Sequence, residues 1–417
     1  MPELRAASPP HTEPSWAAES RDRGAIRRTN LGVVLRLLRD AGPRSRARIA
    51  ADAGLPKPTV TSLVAELVAL GLVREGPARR EGAVGRPGAE VRLHGHAVCG
   101  IGVEVSTSYV QVVALALDGV ELYGRRVTVD VAAAGPDAVL DLAACELAAC
   151  RTAVQDSGVH PAGITVAAPG VVDTASGTAR YAPAIGWRDV AVTEGLRTRL
   201  TDPPPLALDN DAKLAALAEY AAVRVEDVHD MVCVTGERGI GAGVISAGRL
   251  LRGANGFAGE VGHMPLDPER RPCACGRRGC WETMVGLDAI LRLAADEGDV
   301  LHDPTVELGD RLDLLRTRAR AADPRTVAAM ARVADDLGLG VALLADVLNP
   351  GVVVLGGYFT HIGDLMIERV RAVVHERVMA PDAGGCEVRL STLGFAAAAR
   401  GGAYLALNAV FEDPAGA

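Results

Sequence analysis

At 417 residues, with 49% hydrophobic and 23% charged residues, the chain has room for about three ordinary domains and the composition of a soluble globular protein. Aromatic residues make up only 3%, which leaves Leu, Val and Ala to build the core and argues against aromatic base-stacking platforms for single-stranded nucleic acid. The net charge of −8 conceals an asymmetry: residues 1–95 hold 16 Lys/Arg against 10 Asp/Glu, whereas the remainder holds 28 against 42, so a basic head on an acidic body points to a polyanion partner for the head alone.

The opening "MPELRAASPPHTEPSW" lacks a basic region followed by an apolar stretch, and no run of about 18 uncharged apolar residues occurs. Neither a signal peptide nor a membrane span is expected, and a cytoplasmic location is. Residues 1–23, rich in Pro, Ser and Glu, read as a disordered arm.

Residues 24–95 read as a winged helix-turn-helix. Leu31, Val34, Leu35 and Leu38 predict a helix capped by Thr29 or Asn30 and stopped at Gly42-Pro43. Ser45 can cap a short second helix that ends at Gly54. A third helix opens near Pro58 and carries the apolar stripe Val60, Leu63, Val64, Leu67 and Val68. Lys57, Thr59, Thr61 and Ser62 then crowd its N-terminal end, where a recognition helix meets base edges. Two short strands, "GLVRE" and "AEVRLH", flank a wing in which Arg79, Arg80 and Arg86 cluster. These arginines suit phosphate or a narrow minor groove.

The body, residues 96–417, begins with three strands turning at Asp118-Gly119, then a helix over about 136–156 and a buried strand, "GITVAAPG". The same theme returns at "HDMVCVTGERGIGAGVISAGRLLRG" and closes with "GVVVLGG". This is an α/β pattern in two copies with a cleft between lobes.

Within that body, residues 259–283 place His263, Cys273, Cys275 and Cys280 in the spacing H-x9-C-x-C-x4-C. A disulfide is disfavoured in a reducing compartment. Three cysteines, one histidine and turn glycines at 276 and 279 suit a closed tetrahedral zinc site, although the C-x-C step is shorter than a zinc-finger knuckle. Cys99, Cys145, Cys150, Cys233 and Cys386 sit singly in apolar stretches and are expected to be small core residues.

"LRGANGFAGEVGHM" followed by "CACGRRGCWE" resembles the signature of the ROK family of repressors, open reading frames and sugar kinases. "LDNDAKLAALAE", "GERGIGAG" and "NPGVVVLGG" are similar to its other blocks, in the same order. The resemblance runs from about residue 28 and includes the DNA-binding head that the family's repressors have and its kinases lack. It implies a duplicated actin/hexokinase-like (ribonuclease H-like) body with sugar in the cleft. By position, Asn210, Asp211, Glu260, His263 and Glu282 would hydrogen-bond sugar hydroxyls. His263 would also serve the zinc, and in a kinase Asp211 would be the general base. Ala184 departs from the family's usual sugar-contacting Asn.

The family's kinases carry an Asp-x-Gly-Gly-Thr phosphate loop where this chain has Glu104, Val105, Ser106, Thr107 and Ser108. Both glycines are gone, while Gly236, Gly239, Gly241 and Gly243 of the second loop remain. The expectation is a non-catalytic, sugar- or sugar-phosphate-responsive repressor. It would bind double-stranded operator DNA as a homodimer or dimer of dimers, with half-sites about 34 Å or a multiple apart. The alternative is an ATP-dependent, glucokinase-like sugar kinase.

Overall fold

The computed structural model describes residues 23–79, 88–223, 228–303, 305–381 and 385–416. In the head, α1 (Arg23–Ala41), β1 (Arg44–Ser45), α2 (Arg46–Ala53), α3 (Lys57–Ala69), β2 (Val73–Arg79) and β3 (Gly88–Leu93) follow in order. The strands form a sheet in the order β1-β3-β2. Ser45 accepts a hydrogen bond from the Arg48 N–H at 3.3 Å and starts α2, and Gly54, with φ +64°, ends it.

Two helix starts in the head differ from expectation. α1 begins at Arg23, and Thr29 lies inside it, its hydroxyl donating to the Ala25 carbonyl rather than capping. The extra turns are solvated, and Arg27 within them pairs with Glu66 of α3. α3 begins at Lys57 behind Pro56, which supplies the extended φ/ψ of a cap without a side-chain hydrogen bond. Val68 is 42% exposed and falls outside the buried stripe.

Four residues separate β3 from the first strand of the body, where two five-stranded sheets repeat one topology. In the first lobe β4 (Val98–Val105), β5 (Tyr109–Ala116) and β6 (Glu121–Thr128) form an antiparallel meander. After α4 (Val131–Asp156), β7 (His160–Ala168) lies parallel to β4. A small sheet of β8 (Val171–Asp173), β9 (Thr178–Ala182) and β10 (Trp187–Ala191) and the helix α5 (Val192–Arg199) precede β11 (Leu206–Asn210), parallel to β7. The order is therefore β11-β7-β4-β5-β6.

In the second lobe, α6 (Asp211–Val223) leads into the meander β12 (Met231–Gly236), β13 (Ile240–Ser246) and β14 (Arg249–Leu250). The helices α7 (Glu282–Val285), α8 (Leu287–Ala294), α9 (Leu308–Arg320) and α10 (Pro324–Leu348) come next. They are followed by β15 (Val352–Gly357), α11 (Phe359–Ile362), α12 (Ile367–Arg377), β16 (Glu387–Leu390) and α13 (Ala397–Glu412). With β15 parallel to β12 and β16 parallel to β15, the order β14-β13-β12-β15-β16 repeats the first lobe strand for strand. This duplication is the actin/hexokinase-like, ribonuclease H-like arrangement.

Two helices tie the lobes together. α13 follows the second sheet but packs on β4, β5 and β7 of the first, and α6 follows the first sheet but packs on β12 and β13 of the second. The approaches are close: a Cβ on Gly102 would lie 1.8 Å from the Ala399 carbonyl oxygen, and one on Gly401 would lie 1.8 Å from that of Leu214. Glycine is thus required where α13 meets β4 and where it crosses α6. The last turns of α13 then reach into the head. Leu407, Val410 and Phe411 join Leu31, Leu35, Ile49, Leu63 and Val91 in the core of the head. Arg36 donates to the Phe411 carbonyl at 2.7 Å, and the Arg39 guanidinium lies 4.5 Å from the Phe411 ring.

Cys99, Cys150 and Cys233 are buried as expected, but Cys145 is exposed on the solvent side of α4 and Cys386 is half-buried. An Ala-rich helix offers small residues to both faces, so the composition around Cys145 did not report its direction. No helix among the described residues is long and apolar enough to cross a membrane.

Candidate functional site

Between the lobes lies a cleft cavity of about 340 Å³. Asn210 ends β11 and Asp211 opens α6, so strand geometry delivers both to its floor. The Asn210 carbonyl oxygen Oδ1 accepts from the Lys213 N–H at 3.1 Å, capping α6, while its Nδ2 donates to the Gly170 carbonyl and to Asp211 Oδ1, both at 3.0 Å. Asp211 Oδ1 also accepts the Ala212 N–H at 2.7 Å. Burial pushes the Asp211 carboxyl up to about 6 against that hydrogen bond, with Glu237 and Glu260 adding to the rise. Behind this pair, buried Asp209 binds Arg252 at 2.6 Å and Lys213 donates to the Gly256 carbonyl at 2.6 Å, fixing the segment that leads to Glu260.

Glu260, His263 and Glu282 line the opposite wall. Glu282 Oε2 accepts the Ile240 N–H at 3.0 Å, and its Oε1 lies 3.3 Å from Cys273 Sγ. His263 presents Nε2 toward Glu260 at 3.9 Å and Nδ1 toward Cys273 Sγ at 3.7 Å. One imidazole therefore faces both the cleft and the cysteine cluster.

The ligand atoms of His263, Cys273, Cys275 and Cys280 all lie within 4.8 Å of one another. Cys275 Sγ and Cys280 Sγ are 3.7 Å apart. A tetrahedron built on Zn–S of about 2.3 Å and Zn–N of about 2.0–2.1 Å has edges of roughly 3.5–3.8 Å, so the closest pairs match a metal-bound spacing. The donor set can hold a metal ion. Gly276 (φ +86°) and Gly279 (φ +85°) make the turns that bring the cysteines back together. Asp267 braces the same loop. It accepts from the Glu269 and Arg271 N–H groups, the Thr283 hydroxyl and the Arg271 guanidinium at 2.9–3.0 Å. Burial would raise its carboxyl, but these donors hold it below the usual range.

Across the cleft, the β4–β5 turn carries Ser106, Thr107 and Ser108. Their hydroxyls converge on the carboxylate of Glu237, from the β12–β13 turn of the other lobe: Ser106 on Oε2, and Thr107 and Ser108 on Oε1 at 3.4 Å. The remaining glycines of that second loop have packing reasons of their own. A Cβ on Gly243 would lie 2.2 Å from Ala216 Cβ, and one on Gly241 2.8 Å from Ala212 Cβ, so both let α6 lie against β13. Trp187 and Trp281 are fully buried rather than exposed to the cleft.

On the head, Lys57, Thr61 and Ser62 are exposed at the N-terminal end of α3, and Thr59 is half-buried. The Thr61 hydroxyl donates to the Lys57 carbonyl at 3.0 Å, and Arg27 donates to the Ser62 hydroxyl at 3.1 Å. Arg80, Arg86 and the side chain of Arg79 lie outside the described residues.

Sequence reasoning did not single out Glu237, Asp267 or the Asp209–Arg252 pair. A carboxylate beside serines or a lone aspartate in a loop carries no periodic signal, and its partners are set by the fold.

Residues 101–409 match the ROK family, and residues 30–77 match the IclR helix-turn-helix domain. The xylose repressor of Caldicellulosiruptor bescii is 26% identical over 374 residues, covering 88% of this chain and 92% of that one. The glucokinase of Halalkalibacterium halodurans is 33% identical over 252 residues, 58% of this chain and 75% of the enzyme. A crystal structure of a ROK family transcriptional regulator, a homologue of the E. coli MLC protein, superimposes with a TM-score of 0.73 at 24% identity, covering 93% of this chain and 98% of that one, a likeness of fold. A helix-turn-helix head joined to a duplicated two-lobe body, with the family's sequence running through most of it, leads to one assignment: the chain belongs to the ROK family.

Proposed function

We propose that this chain is a sugar-responsive DNA-binding repressor whose body senses a sugar without phosphorylating it. The observation that carries the reading is the shared core: the head packs on α13, and α13 crosses α6, whose first residue is Asp211 in the cleft. The division proposed is an arm over 1–23, a DNA-binding domain over 24–95 and a sensing domain over 96–417. Lys57, Thr59, Thr61 and Ser62 would face base edges, with Arg79, Arg80 and Arg86 of the wing on phosphate or the minor groove. Asn210, Asp211, Glu260, His263 and Glu282 would bind sugar hydroxyls, and Zn²⁺ on His263, Cys273, Cys275 and Cys280 would hold the wall that carries His263 and Glu282. Two heads of a homodimer, or of a dimer of dimers, would meet two half-sites of operator DNA. The match to a xylose repressor along almost its whole length supports this reading over that of a bare kinase.

The test is operator binding with and without a sugar panel that includes xylose and glucose. One sugar is expected to change operator affinity by about 5–150-fold. Asp211→Ala should abolish that response and retain sugar-free DNA binding. Because an ionised Asp211 carboxylate accepts a hydrogen bond from a sugar hydroxyl more strongly than the protonated acid does, sugar affinity should fall as pH drops through about 6 and level off above it. Loss of DNA binding in Asp211→Ala, or indifference of DNA binding to every sugar, would overturn the reading.

The kinase alternative is opposed by the β4–β5 turn, where Ser106 and Thr107 put side chains and a bound Glu237 carboxylate in place of open backbone N–H groups. A coupled assay with ATP and common hexoses is expected to show turnover well below about 1 s⁻¹, the lower end of ordinary enzyme rates. Turnover at or above that level would make the chain an enzyme.

A further inference from the structure

The hydroxyls of Ser106, Thr107 and Ser108 converge as they would on a bound anion, and the anion they hold belongs to the protein. Glu237 crosses from the opposite lobe to take all three. Around it the cleft is lined by five further carboxylates, from Glu104, Asp211, Glu260, Glu282 and Asp288. Arg238 is the single Lys or Arg among the described lining residues, and it is exposed. Glu104 is 6% exposed; its Oε1 receives the Tyr109 hydroxyl at 3.0 Å, while its buried Oε2 has no hydrogen-bond partner among the described residues. A buried carboxyl oxygen left without a partner at a cleft wall calls for one. A neutral sugar hydroxyl, which both donates and accepts, supplies it whether Glu104 is ionised or protonated. A phosphoryl group, with about −1.5 to −2 charge near neutral pH, would instead add negative charge to a cleft already lined by carboxylates.

We propose that Glu237 is a specificity residue: by filling the hydroxyl cradle of the β4–β5 turn, it reserves the cleft for uncharged sugars and closes it to sugar phosphates and nucleotides. The proposal rests on the reading of the cleft as a sugar site, but the role of Glu237 has its own test. A phosphoryl group could enter the cradle only by displacing a carboxylate already bound there, in a cleft whose other carboxylates repel it. Burial and the charges of Glu237 and Asp211 already push the Glu104 carboxyl well above its usual range, as expected where negative charge is in excess.

The experiment is calorimetric titration of pyrophosphate and of ADP into the full-length protein, Glu237→Gln and Glu237→Ala, each first confirmed folded by its melting curve. Wild-type protein is expected to bind neither probe at millimolar concentration. Glu237→Ala, which empties the cradle, should bind pyrophosphate at least about tenfold more tightly than wild type, and Glu237→Gln, which removes only the charge, should gain less. Equal binding by all three proteins, or no gain in either variant, overturns the proposal. A parallel melting series with glucose, xylose and their phosphates should show stabilisation of wild type by a neutral sugar. Stabilisation only by a phosphorylated one also overturns it. If neither kind stabilises the protein, the sugar reading fails, while the pyrophosphate titration still decides whether Glu237 guards the cradle.

Discussion

Replacing Cys275 with alanine is expected to strip the protein of stoichiometric zinc and weaken sugar binding in the same step. Cys275 is half-exposed, so its removal subtracts a ligand with little loss of packing. Structural zinc contributes on the order of 10 kcal/mol to the folding of isolated zinc peptides, and losing one of four ligands forfeits much of that. Here the cost falls on the loop from Glu260 to Glu282. Cys273 Sγ is 3.3 Å from Glu282 and 3.7 Å from His263, so a loosened cluster displaces two groups of the cleft wall at once. Sugar affinity should fall by about tenfold or more, equivalent to ~1.4 kcal/mol. Elemental analysis and sugar titration of wild type and variant check both parts. Wild-type protein free of zinc after purification without chelators, or a variant with unchanged sugar affinity, would refute the link between metal and cleft.

The second large effect is expected far from the cleft. Phe411 is 2% exposed and sits in the head's core although it belongs to the body's last helix. Its replacement by alanine should cost about 3–5 kcal/mol at that junction, the usual range for emptying a buried aromatic site. The helix joins the head to α6 through a glycine crossing with no room to give, so motion at Asp211 has a rigid route outward. Phe411→Ala should therefore retain sugar binding while reducing the sugar-dependent change in operator affinity from about 5–150-fold to within about twofold. Operator titrations with and without saturating sugar measure this. A variant that keeps the full response would show that coupling bypasses α13.

The contrast between these two sites shows how far the residues alone could be read. The candidate metal cluster was legible because its four potential ligands lie within 18 positions on one loop, and glycines at 276 and 279 mark the turns. The helix-turn-helix was legible for a similar reason: the Ser45 cap and the apolar stripes are local, and each helix buries the face that its own periodicity announces, Val68 excepted. The exceptions, an α1 beginning at Arg23 and an α3 opening at Lys57, fall at helix ends, where partners outside the helix set the boundary.

Sequence by itself thus determined the helix order of the head, the two-copy α/β pattern of the body and the candidate metal ligands, while the cleft residues came from the family resemblance. Only the tertiary structure decided that Glu237 would lie on Ser106, 131 positions away, and that Phe411 would lie against Arg36, 375 positions away. An apolar helix face declares that it will be buried but not against what. A carboxylate declares that it needs donors but not which ones. Those choices are made when whole sheets and helices close on one another, because the free energy of a long-range contact depends on every surface that must pack for it to form.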